Sequence, residues 1–181
     1  MTPDLIDDPR LTAMGLLIEA HQGLMTRLDP VHAAHGLSGS DFDTLIRLAR
    51  SPGRRLRMTD LAAQTSMSTS GITRIVDRLE RAGLICRTRC SADRRSCFAV
   101  LADVGAQRLA ADAPDIVAAI ERWFTGLLTS EQHDAFIAAL HIVRDAVHPD
   151  ATAGALSAHC QRLPGWSGTL DACRARIPLS R

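Results

Sequence analysis

The 181-residue chain has no tyrosine and no lysine, and only four phenylalanines and two tryptophans. Proteins that read RNA or single strands stack bases on aromatic side chains, so this composition argues against that class of partner. No apolar run approaches the roughly 20 residues that span a bilayer. Residues 1–10 are acidic and lack the basic and apolar regions of a secretory signal, so a cytoplasmic, membrane-free protein is expected. The five cysteines, at 86, 90, 97, 160 and 173, are odd in number, and no disulfide framework is expected. There is no Gly-rich phosphate loop, nucleophile elbow or His-Glu metal motif. The Ser, His and Asp residues show no catalytic spacing. No enzyme activity, cofactor or metal is expected.

What is present is concentrated. Residues 54–95 carry ten arginines against Asp60, Asp77, Glu80 and Asp93, a net of +6 in a chain whose overall charge is +1. A solvated charged surface is the commoner fate of such a run. A polyphosphate backbone is the alternative partner, because each neutralised phosphate releases condensed counterions. The local pattern inside the window decides between them.

Along the chain, apolar positions recur at helical spacing from 10 to 35, covering two adjacent stripes, so a long helix with a wide apolar face is expected. Gly36 suits a left-handed cap, and Ser38 or Ser40 starts a second helix that Ser51-Pro52-Gly53 breaks. A short extended piece, 56–58, precedes a brief helix over 60–64 with Thr59 as its cap. After a turn at 65–68, Ser68 caps a helix running to about Ala82, and Gly83 stops it. Strand-like runs at 84–89 and 96–101 flank a polar hairpin tip at 90–95. A long helix is expected from about Asp103 to Leu128, interrupted or kinked at Pro114. A last amphipathic helix, capped by Thr129 or Ser130, ends near His148. Residues 149–181 lose all periodicity and read as a flexible tail.

Between 58 and 84, Leu61, Ala62, Met67, Ile72, Val76 and Leu79 supply the internal face of two helices crossing at a tight turn. The outward face of the second offers Thr69, Ser70, Thr73, Arg74 and Arg78. Hydroxyls and an arginine near a helix N-terminus suit the major groove, with short donors for phosphates and a fork for guanine. The hairpin ends in Asp93-Arg94-Arg95. An arginine at a narrow tip can enter the minor groove, where the potential is most negative, and Asp93 can hold a guanidinium in place. Together these parts make a winged helix-turn-helix.

The chain resembles the multiple antibiotic resistance regulator (MarR) family of transcription factors. The matching pieces are Thr59-Asp60-Leu61-Ala62, the run Ser68-x4-Thr73-Arg74-x-Val76-Asp77-Arg78-Leu79-x3-Gly83-Leu84, and Asp93-x-Arg95 followed by Val100-Leu101 and Gly105. The likeness follows element order from 10 to 148 and is dense only between 59 and 105. It implies a mainly α fold with a small β-wing. The winged helix-turn-helix lobe would occupy about 38–101, and helices at about 10–35 and 103–148 would form the dimerisation region. It further implies a homodimeric transcriptional regulator, a repressor relieved by a small-molecule effector, on a pseudo-palindromic double-stranded operator. Carried over residue by residue, Ser68, Thr69, Ser70, Thr73 and Arg74 face the major groove, with Arg78 near the backbone. Arg95, with Arg94 beside it, reaches the minor groove, and Asp93 is its partner. His21, Met25, Phe42 and Ile46 are the candidate ligand-binding residues. The family usually has a threonine cap where this chain has Ala102; Asp103 is the substitute available.

Two alternatives use the same scaffold. His32 and His35 share a helix face, as do His141 and His148, but two histidines without a firm carboxylate or cysteine partner are far more often polar surface groups than metal ligands. Cys86 and Cys90 lie four apart along a strand, too far to bond, whereas Cys90 and Cys97 face each other across the hairpin beside arginines that favour thiolate chemistry. Small apolar strand cysteines are the plainer reading. Redox or metal sensing, and a winged helix that docks onto protein without binding DNA, are the rivals.

Overall fold

The computed structural model describes residues 5–89 and 96–154. Asp8 accepts from the Arg10 N–H and opens α1 (Pro9–Ala34), which ends at Gly36 with φ +67°. Ser38 and Asp41 form a reciprocal capping box for α2 (Gly39–Arg50). Then follow β1 (Arg55–Arg57), α3 (Met58–Gln64), α4 (Thr69–Arg81), β2 (Ile85–Arg89), β3 (Cys97–Leu101), α5 (Asp103–Trp123) and α6 (Ser130–Val147). The three strands form an antiparallel sheet in the order β1-β3-β2. The fold is mainly helical with a small sheet, as the residue pattern predicts.

Two boundaries differ from that pattern, and a third follows it. The helix α3 begins at Met58, so Thr59 lies inside its first turn and Arg57 precedes it without a side-chain cap. The helix α5 passes through Pro114 unbroken but stops at Trp123, where Phe124 leaves helical geometry and a 3-10 turn covers Thr125–Leu127. Ala102 stands at the N-cap of α5 with no side-chain bond; Asp103 is the first helical residue, and its carboxylate pairs with Arg54 at 3.4 Å. An acid in the first turn still favours the helix dipole there.

The core belongs to the lobe. Leu45 and Leu48 of α2, Leu61 of α3, Ile72, Val76 and Leu79 of α4 and Leu101 of β3 are all fully buried. The outer helices contrast with this. In α1 only His32 is buried, and α6 buries no residue at all. Leu11, Met14, Leu16, Leu17 and Ile18 of α1 stand exposed, as do Ile142, Val143 and Val147 of α6. The wide apolar face read from the sequence is therefore present but unpartnered within one chain. Between α1, the end of α5 and α6 lies an open apolar groove of about 640 Å³, lined by Leu17, Leu24, Phe124, Leu128, Phe136 and Leu140 among others. Among the described residues no helix is long and apolar enough to cross a membrane.

The six residues 149–154, assigned from sequence to a tail, are folded: Pro149–Thr152 form a 3-10 turn against α3. The rest of that segment, 155–181, lies outside the described residues.

Candidate nucleic-acid interface

The recognition face follows from how α4 is held. Ile72, Ile75, Val76 and Leu79 recur at helical spacing and bury one side of it. The Ser68 hydroxyl accepts from the Gly71 N–H at 3.1 Å and caps the start. The turn before it is tight: Met67 N–H donates to the Ala62 carbonyl at 3.0 Å, and Ser66 adopts φ +52°. What remains outward is Thr69, Ser70, Arg74 and, half-buried, Thr73, whose hydroxyl donates to the Thr69 carbonyl at 2.7 Å. These four and Ser68 come together on one exposed surface, as their spacing predicts.

The arginines divide into two groups. Arg74 is exposed and makes no ion pair or hydrogen bond among the described residues. Arg78 does not stand free beside it: its guanidinium grips the buried Asp41 of α2, with Nη2 at 2.6 Å and Nε at 3.1 Å from the same oxygen. Burial alone pushes the Asp41 carboxyl up, but Arg78 together with the Ser38 N–H and hydroxyl outweighs it and holds the group below the usual carboxylate range. Arg78 is thus first an anchor between α2 and α4, and only half its side chain faces solvent.

Arg87 on β2 is the second clamp. Its guanidinium lies 2.7 Å from carboxylate oxygens of both Asp77 and Glu80, and it donates to the Thr73 carbonyl at 3.2 Å. Its backbone N–H also donates to Glu80 at 3.0 Å. Burial disfavours its charge, yet Asp77 and Glu80 more than compensate and raise its pKa above the ordinary value. Two of the acids that oppose the arginines in sequence, Asp77 and Glu80, are thus both paired with Arg87. Arg55 and Arg57 on β1 add to the basic edge, each with its guanidinium carbon 5.7 Å from the Phe98 ring centre.

The wing strands pair from Ile85 opposite Leu101 to Arg89 opposite Cys97. Cys97 therefore faces Arg89, one step from the register that would bring Cys90 against it. Cys97 is a free thiol, and Cys86 is buried. The tip itself, with Cys90, Asp93, Arg94 and Arg95, lies outside the described residues.

The four candidate ligand residues lie in different surroundings. His21 lines the groove between α1 and α6. Phe42 stacks on His32 at 5.0 Å between ring centres, and both Phe42 and Ile46 pack on the lobe core. Met25 sits on α1 and is 38% exposed. The paired histidines also part company. His32 is buried under Phe42 with its pKa lowered by that burial, and His35 turns to Asp112 and Asp115, 3.1 Å from each.

Sequence reasoning missed Asp41 and Arg87. The Ser38-x-x-Asp41 spacing announces a helix cap, but the pairing of Asp41 with Arg78, like that of Arg87 with Asp77 and Glu80, is made only by folding.

A family model described as MarR family matches residues 35–96. The fold is similar to the crystal structure of AbsC, a MarR family transcriptional regulator from Streptomyces coelicolor: 32% identity, TM-score 0.72, covering 78% of this chain and 96% of that one. A second MarR family transcriptional regulator from the same organism, solved in complex with DNA, gives 34% identity and a TM-score of 0.71, covering 77% of this chain and 88% of that one. The HTH-type transcriptional regulator FarR of Neisseria gonorrhoeae is 34% identical over 89 residues, 49% of this chain. That match spans 60% of FarR's own length.

Proposed function

The chain belongs to the MarR family of transcriptional regulators, and from this premise we propose that it is a homodimeric, sequence-specific reader of double-stranded DNA that acts as a repressor released by a small ligand. The observation that carries this is the state of α4. Its inner face and both flanking arginine clamps immobilise it, while Arg74 and the hydroxyls of Thr69 and Ser70 remain outward. A preorganised helix with one uncommitted guanidinium is what base readout in a major groove requires. The relative solved with DNA is in keeping with this reading. A pseudo-palindromic site needs two such helices about 34 Å apart. The second copy is supplied by the unpartnered apolar faces of α1 and α6 and the groove between them. A ligand lodged where the dimerisation helices meet the lobe, near Phe42 and His32, would alter that separation. The His32 Nδ1 there is buried with no hydrogen-bond partner among the described residues. A coupling of about 1 to 3 kcal/mol between sites weakens operator occupancy roughly 5- to 150-fold.

The test begins with duplexes selected from a random library. Arg74→Ala should weaken binding by about 1 to 3 kcal/mol and relax choice at particular base pairs. Arg95→Ala should weaken all duplexes alike and reduce the slope of log affinity against log salt by about 1. A protein that stays monomeric at micromolar concentration, or shows no preference among duplexes, overturns the reading.

A further inference from the structure

After α6 the chain turns back onto the helix-turn-helix. The His148 Nε2–H donates to the Ala63 carbonyl at 2.8 Å, and the Ser66 hydroxyl lies 3.2 Å from the same nitrogen and 3.4 Å from Nδ1. The Gln64 amide, in a residue only 5% exposed, donates to the Ala153 carbonyl at 2.5 Å. Arg47 of α2 reaches the Ala151 carbonyl at 3.5 Å. Gly154, at φ +78°, approaches Asp60 so closely that a Cβ would sit 2.5 Å from a carboxylate oxygen. Asp60, Ala63 and Gln64 are spaced i, i+3, i+4 and form one face of α3. Leu61 and Ala62 are buried in the core. Residues 148–154 therefore lie against one face of α3, meeting Ala63 and Gln64 near its C-terminal end and Asp60 near its start.

The lobe is also linked to the outer helices through α2, β3 and α5. The corner between α1 and α2 packs on α5 and is latched by His35 to Asp112 and by Arg108 to the same carboxylate and to the His35 carbonyl. The strand β3 runs directly into α5, where Asp103 pairs with Arg54 and the Ala102 N–H donates to the Leu84 carbonyl. None of these links is made on α3, so residues 148–154 hold the lobe at a separate place.

We propose that residues 148–154 are a strap that sets the angle of the reading head relative to the dimerisation helices, with His148 and Gln64 as positioning residues for DNA binding. This rests on the dimeric DNA-binding reading above. Among the described residues the strap's hydrogen bonds go to α2, α3 and the turn after it, so its contribution is to the spacing of two half-sites, which is a geometric quantity, and not to phosphate contact.

The test compares the full-length wild type with His148→Ala and His148→Gln on two duplexes: the selected operator and the same operator with one base pair inserted between its half-sites. Wild type should discriminate between them. In His148→Ala, affinity for the selected operator should fall about fivefold, the equivalent of one ordinary hydrogen bond lost. The ratio between the two duplexes should shrink by a similar factor, with the salt slope unchanged. His148→Gln keeps a donor and should restore the ratio. Partial unfolding scales both affinities together and leaves the ratio alone. An unchanged ratio in His148→Ala, or a reduced salt slope, overturns the strap even though operator binding stands. Failure of the wild type to bind either duplex defeats the DNA reading itself.

Discussion

Gly105→Ala should lower the melting temperature more than any single change on the recognition face. A Cβ at residue 105 would lie 2.1 Å from the Leu84 carbonyl oxygen and 2.8 Å from the Leu101 side chain. The obstacle is backbone, and it is pinned: the Ala102 N–H donates to that same Leu84 carbonyl at 3.0 Å. The first turn of α5 and the start of β2 must therefore separate, which breaks that bond and opens the fully buried ground around Leu101. Overpacking a tight core destabilises by about 1 to 3 kcal/mol, and a rigid obstacle puts this site at or above the upper end. For a chain of this size about 3 kcal/mol corresponds to a fall of roughly 6 to 12 °C. Thermal unfolding followed by circular dichroism measures it. A change of under about 2 °C would mean that helix and strand part more easily than their contacts indicate.

The second large effect is expected at Arg78. Removing it leaves the Asp41 carboxylate, only 4% exposed, with Ser38 as its remaining partner. Breaking a fully buried pair destabilises by about 3 to 5 kcal/mol, but half of Arg78 is in solvent, so about 2 kcal/mol is expected at neutral pH. The sign of the pH dependence is fixed. Asp41 is held below its unfolded value in the native protein, so its contribution is present above the unfolded pKa and lost as pH falls through the folded one. The difference in urea midpoint between wild type and Arg78→Ala should therefore be largest at pH 7 and narrow below about pH 4. A gap that is constant across this range would remove the carboxylate from the explanation. Operator binding separates the two roles open to this arginine. As an anchor of α4 its loss weakens affinity with an unchanged salt slope, whereas a phosphate contact would take about 0.9 from the slope.

These two sites also mark how far the sequence could be read. Gly105 belongs to the stretch that resembles the family, yet nothing in its neighbours announces that a carbonyl from residue 84 sits above it. The faces of α4 were legible because helical periodicity is local: Ile72, Val76 and Leu79 go in, and Thr69 and Arg74 come out. The spacing of Arg78 puts it outward, and the family resemblance places it near the DNA backbone. Its capture by Asp41 depends on how α2 crosses α4, which no periodicity encodes. Arg87 escaped notice for the same reason, since strand alternation says which side it faces and not that Asp77 and Glu80 wait there. The end of α5 was misplaced by five residues because the apolar pattern continues through Leu127 and Leu128, and the groove rather than the helix requires it. Residues 149–154 failed in the opposite sense. Their small side chains carry no pattern, and their attachment runs largely through backbone carbonyls, which are the same for every residue type.

The helix α6 has consequences for the abundance of the protein. A helix with no fully buried residue gains less from packing within its own chain, which is where most helical stability comes from. Before the proposed second copy covers it, it should fray and expose Ile142, Val143 and Val147 to proteases. Newly made chains would then survive in proportion to how quickly they meet one another. The cellular half-life of this protein should lengthen as its synthesis rises, making its steady-state level respond more than linearly to transcription of its own gene.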